Sequence, residues 1–315
     1  MISQIIAKND ERQWDSLPGG CLFFALKSEQ DYLYIGSSFR LSARLRGIWD
    51  HAREDKLYQE LCERATILEY QQMPDSMSAL VMQKALIQEH YPSFQQRLRP
   101  WDSYVYLGLD SHRFPFISIQ EHTNDDWQYL GPFRSRFFVA DVIDSISRIL
   151  KLPNCPGGTY PCERFDTAVC RGWCLALAPA KETDLEHDLQ KLDTLLQESF
   201  VHPNNGILEM VQQERDRYFD DLEFAKADLL DDEIRLLSAY RDWLNFLYVA
   251  KDLSFESPQL TIAHGQLTHA ELNGKSYHFP ADNPPYRGNE LLALPLAAVD
   301  EMKIIYDYIR ERAHA

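Results

Sequence analysis

The chain has 315 residues, 45% hydrophobic and 25% charged, a balance that suits a globular protein of two or three modest domains and excludes a low-complexity chain. No stretch approaches a membrane span, and the apolar start from Met1 to Ala7 is too short for a signal peptide, so a cytoplasmic protein with no membrane contact is expected. The net charge of −16 is uneven: residues 1–175 carry 19 Lys and Arg against 22 Asp and Glu, and residues 176–315 carry 13 against 26. Phosphate neutralisation by Lys and Arg supplies most non-specific DNA affinity. The acidic second half therefore suits a protein partner better than DNA. In the first half, Arg40, Arg44, Arg46 and Arg53 lie close together, as either a basic stripe or an ordinary solvated helix face.

Residues 1–17 read as an N-terminal extension. Gly20 to Leu26 reads as a strand, Ser28 to Asp31 as a polar turn, and Tyr32 to Gly36 as a second strand, which makes a hairpin. Strand alternation puts Tyr32 and Tyr34 on one face. Ser37 or Ser38 can cap a helix beginning near Phe39, with Leu41, Leu45 and Ile48 at helical spacing. Leu57 to Arg64 continues as helix and Thr66 to Tyr70 as a third strand. Ser76 starts a helix that ends before Pro92, with Ala79, Leu80, Met82, Leu86 and Ile87 on one side. Residues 18–100 thus form an α+β unit with a three-stranded sheet.

Residues 104–120 alternate as a hairpin, Trp127 to Phe133 as a strand, and 136–150 as a helix. Four of the six cysteines, Cys155, Cys162, Cys170 and Cys174, fall in one segment with the spacing C-x6-C-x7-C-x3-C. Such a set fits a Cys₄ iron–sulfur cluster or a Cys₄ zinc site, and unligated or disulfide-forming thiols are the third option. Structural zinc usually shows tighter C-x2-C knuckles, absent here. A helical region over about 183–252 is interrupted near Pro203 to Gly206. The tail from 258 reads as short strands with a hairpin at Asn273-Gly274 and a last helix near 296–312.

The order of these pieces resembles the N-terminal half of the UvrC/Cho group of GIY-YIG nucleases, over about residues 14–175. Tyr34-Ile35-Gly36 matches the second half of the signature, and Leu41-Ser42-Ala43-Arg44-Leu45-Arg46 matches the family's arginine helix. Ala79 to Phe94 fits the helix of the metal-binding glutamate. Phe114 to Ile117 and Tyr129 to Phe133 fit two further landmarks. In that family a water next to the first tyrosine attacks the phosphodiester. The glutamate holds one divalent metal, and the arginine faces the scissile phosphate. The resemblance makes Tyr34 and Arg44 the retained catalytic positions, and Arg40, Arg44 and Arg46 the DNA-contacting ones. Leu22 stands where the first tyrosine belongs, and Gln83 where the glutamate belongs. Ser37 replaces a lysine common in the UvrC branch. A neutral amide is a poor sole protein ligand for Mg²⁺. Two substitute groups are conceivable, the hydroxyl of Tyr32 and the carboxylate of Glu89, although Glu89 lies about 120° around the helix from Gln83.

The last three cysteines match the UvrC pattern, and the resemblance implies a 4Fe–4S cluster, with zinc as the alternative. Leu222 to Ile234 resembles the UVR motif, which in UvrC contacts the helicase subunit UvrB. It lacks an arginine near Asp231 that the motif usually has. The resemblance itself implies a UvrB-like or other protein partner through 210–237. The expected organisation is a GIY-YIG-like domain at 18–100, an extension with the cysteine cluster at 101–178, an acidic helical region at 179–255 and a small α/β tail at 256–315. The leading function is a DNA-repair-associated protein with an inactive or impaired nuclease domain, binding damaged or branched DNA or a repair partner. Alternatives are an active Mg²⁺- or Mn²⁺-dependent endonuclease of nucleotide excision repair that uses substitute residues, and an iron–sulfur interaction protein without a DNA role.

Overall fold

Four strands build the first sheet in the computed structural model, which describes residues 1–7, 11–95, 97–98, 103–124, 127–155, 162–174, 185–202, 205–280 and 292–313. They are β1 (Ile2–Ile5), β2 (Leu22–Lys27), β3 (Tyr32–Ser38) and β4 (Ile67–Gln72), in the order β1-β4-β2-β3. All pairs are antiparallel. The three-stranded sheet expected from the sequence gains a strand because Ile2–Ile5 pairs along β4. That strand is mostly exposed, so no buried alternation marks it in the sequence.

Helices α1 (Leu41–His51) and α2 (Lys56–Arg64) cover one face of this sheet, and α3 (Ser76–His90) covers the other. The first face buries Trp14, Leu22, Phe24, Leu26, Leu33, Tyr34, Leu41, Leu45 and Leu61. Each fully buried Leu or Phe side chain contributes roughly 1.5–3 kcal/mol. Asp55 caps α2 through the amides of Leu57 and Tyr58, and Asp75 caps α3 through the amide of Ser78. Helix α1 differs from expectation. Neither Ser37 nor Ser38 caps it: Arg40 is the N-cap residue and supplies no side-chain bond, while Ser38 Oγ accepts from the Arg40 amide.

The described residues divide into two compact units. The first joins Met1–Pro100 to Ala250–Asn283 and Ala297–Ala315. Its later segments contain β8 (Phe255–Glu256), β9 (Leu260–Ala263), β10 (Gln266–Leu272) and β11 (Lys275–His278), in the order β11-β10-β9-β8, together with α9 (Val299–Ala313). The β10–β11 turn holds Asn273 and Gly274 at φ +52° and +75°, the pair of left-handed residues that a two-residue hairpin requires.

Helix α3 is apolar on two sides. Met82, Leu86 and Ile87 meet the first sheet, whereas Met77, Leu80 and Val81 pack on Ile262, Leu267, Ala270, Phe279 and Ile305. The sequence reading assigned a single apolar side to α3. The second side exists because the C-terminal segments cover it.

The second unit joins Trp101–Val249 to Pro284–Leu296. Its sheet runs β12-β7-β5-β6, from β5 (Val105–Leu109), β6 (Ile117–Gln120), β7 (Gln128–Phe133) and β12 (Leu292–Ala293). Its helices are α4 (Arg136–Leu150), α5 (Glu163–Asp166), α6 (Leu185–Leu196), α7 (Asn205–Asp220) and α8 (Phe224–Ala250), whose last residue falls in the first unit. Glu233 of α8 is buried and accepts from Ser145 and Arg148 of α4, and Tyr240 donates to the Phe200 carbonyl at 2.8 Å. The α+β class expected from the sequence is the class observed.

Candidate functional site

Strand β3 lies at the edge of the first sheet and carries Tyr34 on its α1 face. Tyr34 is 5% exposed, and its hydroxyl accepts from Arg44 Nη2 at 3.2 Å. Arg44 reaches it from the first turns of α1. Burial works against the Arg44 charge, but Tyr34, Tyr58 and Asp300 outweigh it and hold the guanidinium pKa above its ordinary value. The two retained positions are therefore in contact: a fixed cation fork braced by a phenol.

The chemistry around this pair is apolar. On β2, Leu26 lies opposite Tyr34, Phe24 opposite Gly36 and Leu22 opposite Ser38. All three are fully buried. Phe24 approaches Tyr34 closely, with ring centroids 6.0 Å apart, and its ring covers Gly36 so tightly that a Cβ there would sit 2.8 Å from Cε1. The sequence reading singled out Leu22 as the missing tyrosine, and Phe24 is the β2 aromatic that reading missed. The signal available was the placement of Phe24 between Leu22 and Leu26 on the same strand face. Neither side chain carries a hydroxyl.

Ser37 points to the opposite face, where its hydroxyl donates to Gln83 Oε1 of α3 at 3.0 Å. The amide is half-buried and tied to the strand edge. Its oxygen is a neutral acceptor already engaged, which is a weak start for holding a hard cation.

Tyr32 does not join Tyr34. The β2–β3 register shifts so that Leu26 pairs with Tyr34 but Lys27 pairs with Tyr32, leaving Leu33 as an extra residue. This bulge turns Tyr32 onto the α3 face, a correction to the simple alternation. There its hydroxyl donates to Glu69 at 3.4 Å and its ring stacks on His90 with centroids 4.0 Å apart. Glu89 is exposed and accepts from Lys275 of β11 at 3.0 Å, which lowers its pKa. The arginines do not line up as one stripe either. Arg40 is exposed at the start of α1, one turn before Arg44. Arg46 lies on another face of the helix and pairs with Asp15, while Arg53 pairs with Asp50 at 3.6 Å.

In the second unit, Cys170 and Cys174 are buried and Cys155 and Cys162 partly so. Burial pushes the Cys155 thiol up to about 12. Cys174, Cys170 and Cys162 add to the shift and Arg164 opposes it, so all four thiols lie within electrostatic reach. The Gly172 amide donates to Cys170 Sγ at 3.4 Å. Arg164 Nη1 contacts Asp144 at 3.2 Å, while its Nε and Nη2 are buried without a hydrogen-bond partner. Among the described residues no three Cys, His, Asp or Glu stand at metal-ligating geometry. Cys21 and Cys62 lie in the first unit, and burial pushes the Cys62 thiol up to about 12.

No protein-family model matches the chain. Curated relatives do. UvrABC system protein C of Pseudothermotoga lettingae is 27% identical over 164 residues, 50% of this chain and 29% of that protein. The protein of the same description from Lactiplantibacillus plantarum is 26% identical over 227 residues, 70% of this chain and 35% of that one. The chain is UvrC-like. It spans about a third of the length of the curated relatives it matches. The solved GIY-YIG N-terminal endonuclease domain of UvrC from Thermotoga maritima, bound to magnesium, aligns with 28% of this chain and 99% of its own, at 23% identity and a TM-score of 0.26.

In this UvrC-like chain, Leu222–Ile234, which resembles the UVR motif, spans the turn after α7 and the first turns of α8. Its turn places Leu222 at φ +60° and exposes Phe219, Leu222, Phe224 and Leu229, with the Phe219 and Phe224 rings 5.4 Å apart. Arg215 of α7 donates to Asp231 of α8 at 2.7 Å, near where the motif's arginine is missing. Among the described residues no helix is long and apolar enough to cross a membrane.

Proposed function

We propose that the chain is a DNA-repair-associated protein whose GIY-YIG-type domain binds DNA or a repair partner without cutting. One observation carries this reading: the Tyr34–Arg44 pair is intact, while the glutamate position is an amide bonded to Ser37. Arginine supplies a phosphate-matching fork whether or not hydrolysis follows. Hydrolysis needs in addition a proton acceptor and a metal, and loss of one acid–base role alone costs about 10²–10⁴-fold. The two substitute groups are engaged elsewhere, Tyr32 with Glu69 and Glu89 with Lys275. The deciding assay is nicking of damaged or branched DNA with Mg²⁺ or Mn²⁺, beside salt-dependent binding. Binding without nicking supports the proposal, whereas nicking that Arg44→Ala abolishes overturns it in favour of an active endonuclease.

The cysteine segment fits a thiolate-held anionic group. It offers four thiols, a backbone amide aimed at sulfur, and two buried guanidinium donors with no partner of their own. Cys155, Cys162, Cys170 and Cys174 would hold a 4Fe–4S cluster, or zinc in its place. Either would tie Cys155 and Cys162 to Cys170 and Cys174. Brown colour with absorbance near 400 nm in anaerobic preparations tests the cluster, and bound zinc without iron would replace it. The exposed apolar tip of the α7–α8 hairpin is the proposed partner surface, for a UvrB-like protein. The charge of −16 supports a second reading, an iron–sulfur interaction protein without a DNA role. An absence of DNA binding at low salt would select it.

A further inference from the structure

Strand β11 is an outer strand of its sheet and is joined to β10 by the two-residue Asn273–Gly274 turn. That turn fixes the register, so His269 of β10 lies directly opposite His278 of β11. The Phe279 amide donates to the Thr268 carbonyl at 2.8 Å, flanking this pair on the side away from the turn. His269 and His278 are therefore a non-hydrogen-bonded pair, the kind in which Cα atoms approach to about 4.5 Å and side chains come closest. Ala270, Leu272, Tyr277 and Phe279 turn inward to the core shared with α3, which leaves His269, Glu271, Ser276 and His278 on the outer face. The two imidazole rings lie 4.9 Å apart between centroids, with 36° between their planes. Ser276 Oγ stands 2.9 Å from His269 Nε2, and among the described residues no other hydrogen bond engages either ring. His269 is half-buried and His278 exposed, so solvent reaches both.

We propose that His269 and His278 form a binding site for a divalent transition cation such as Zn²⁺, and that the bound ion clips β11 to β10. Neutral imidazole is a preferred ligand of such ions, whereas Mg²⁺ and Ca²⁺ favour oxygen. An ion bridging two rings that already face one another needs side-chain rotation alone. The Ser276 hydroxyl fixes the His269 ring through Nε2, as an outer hydrogen bond orients a metal ligand, and leaves Nδ1 for the ion. Glu271 lies opposite Ser276 in the next row and adds negative charge to this face. Two protein ligands, with solvent in the remaining positions, make an open and exchangeable site, unlike the closed four-ligand sites of structural zinc. Tyr277 and Phe279 reach the α3 core from the segment of β11, so a clipped β11 holds that cover in place.

The test is a calorimetric titration of Zn²⁺ into the full chain. The parent should bind one equivalent that His269→Gln and His278→Gln each lose or bind at least about tenfold more weakly, the lower end of the cost of disturbing even a ligand's outer partner. Every variant keeps the four clustered cysteines, so the difference isolates the histidine pair from any Zn²⁺ they hold. His264→Asn removes another exposed histidine of the same sheet, at φ +52° where Asn is tolerated, and is the matched control. Excess Mg²⁺ should not displace the bound Zn²⁺. Thermal unfolding without metal confirms that each variant is folded, and added Zn²⁺ should raise the midpoint more for the parent than for either variant. Superimposable isotherms for the parent and both variants, a loss confined to one of the two, an equal loss in His264→Asn, or displacement by Mg²⁺ overturns the inference.

Discussion

The hydroxyl of Ser37 donates to Gln83 Oε1 at 3.0 Å across the edge of the first sheet, joining β3 to α3. This bond is on the face of β3 opposite Tyr34 and Arg44. The strand therefore presents Tyr34 to Arg44 of α1 on one side and Ser37 to the Gln83 amide of α3 on the other.

Changing that amide separates its two roles. Gln83→Glu keeps the Ser37 hydrogen bond and adds an anion, so Mn²⁺ binding measured by electron paramagnetic resonance should rise from none to a detectable site. Nicking should stay absent, since Leu22 and Phe24 still lack a hydroxyl. Gln83→Glu/Leu22→Tyr is the variant expected to show the first trace of cleavage. Cleavage by Gln83→Glu alone would show that no tyrosine from β2 is needed.

Gly36 is fixed by Phe24. A Cβ at Gly36 would lie 2.8 and 2.9 Å from two ring carbons of a side chain with no exposed surface. Gly36→Ala should destabilise the protein by about 1–3 kcal/mol in urea unfolding, the usual cost of overfilling a core. Adding Phe24→Leu should recover part of that loss. Without such coupling, the ring is not what excludes the methyl.

Lys84 and Glu301 form a part-buried pair whose carboxylate also satisfies the Leu267 amide. Removing either partner leaves a charge poorly solvated. Lys84→Met and Glu301→Gln should each cost about 1–3 kcal/mol, with the double variant less damaging than the sum. Simple additivity in denaturant unfolding would mean that the pair contributes nothing to the docking of α9.

Cys62 gives a pH signature. Its thiol is pushed from 9.0 to about 12, mainly by burial, with Glu63 adding to the shift. The folded state thus binds this proton more tightly than the unfolded one. The associated stability is complete below pH 9 and is lost as pH rises towards 12. Cys62→Ala should therefore lose less stability than the parent between these limits, measured as the difference in unfolding midpoint at matched pH values. An identical alkaline slope for the two proteins would contradict the shift.

Arg164 carries two buried donors without partners, and the sulfur of Cys170 already accepts the Gly172 amide nearby. Arg164→Leu should lower the iron retained per chain several-fold and leave the α-helical circular dichroism of the metal-free protein unchanged. Unchanged iron content would show that the guanidinium does not serve a bound group.

Much of the first unit is legible in the sequence. The helix start at Ser76, the helical spacing of Leu41, Leu45 and Ile48, and the Asn273-Gly274 turn all mark elements where they occur. Three features are not legible, each for a reason of long range or geometry. Ile2–Ile5 becomes a strand only because β4 offers an edge. Tyr32 leaves the face of Tyr34 because one extra residue, Leu33, enters the register. The second apolar side of α3 acquires meaning only from Leu267, Phe279 and Ile305, which lie far along the chain. At the site, it is the family resemblance, not residue type alone, that makes the neutral side chain at position 83 noteworthy. The proximity of Phe24 to Tyr34 requires the folded chain.

The two-sided burial of α3 also constrains how the molecule is made. Residues 1–100 belong to a unit whose remaining segments begin at Ala250, so about 150 residues are synthesised between them. During that interval Met77, Leu80 and Val81 have no cover. A fragment ending at residue 100 would present the same bare stripe, and its solubility should improve when residues 250–283 and 297–315 are supplied in trans.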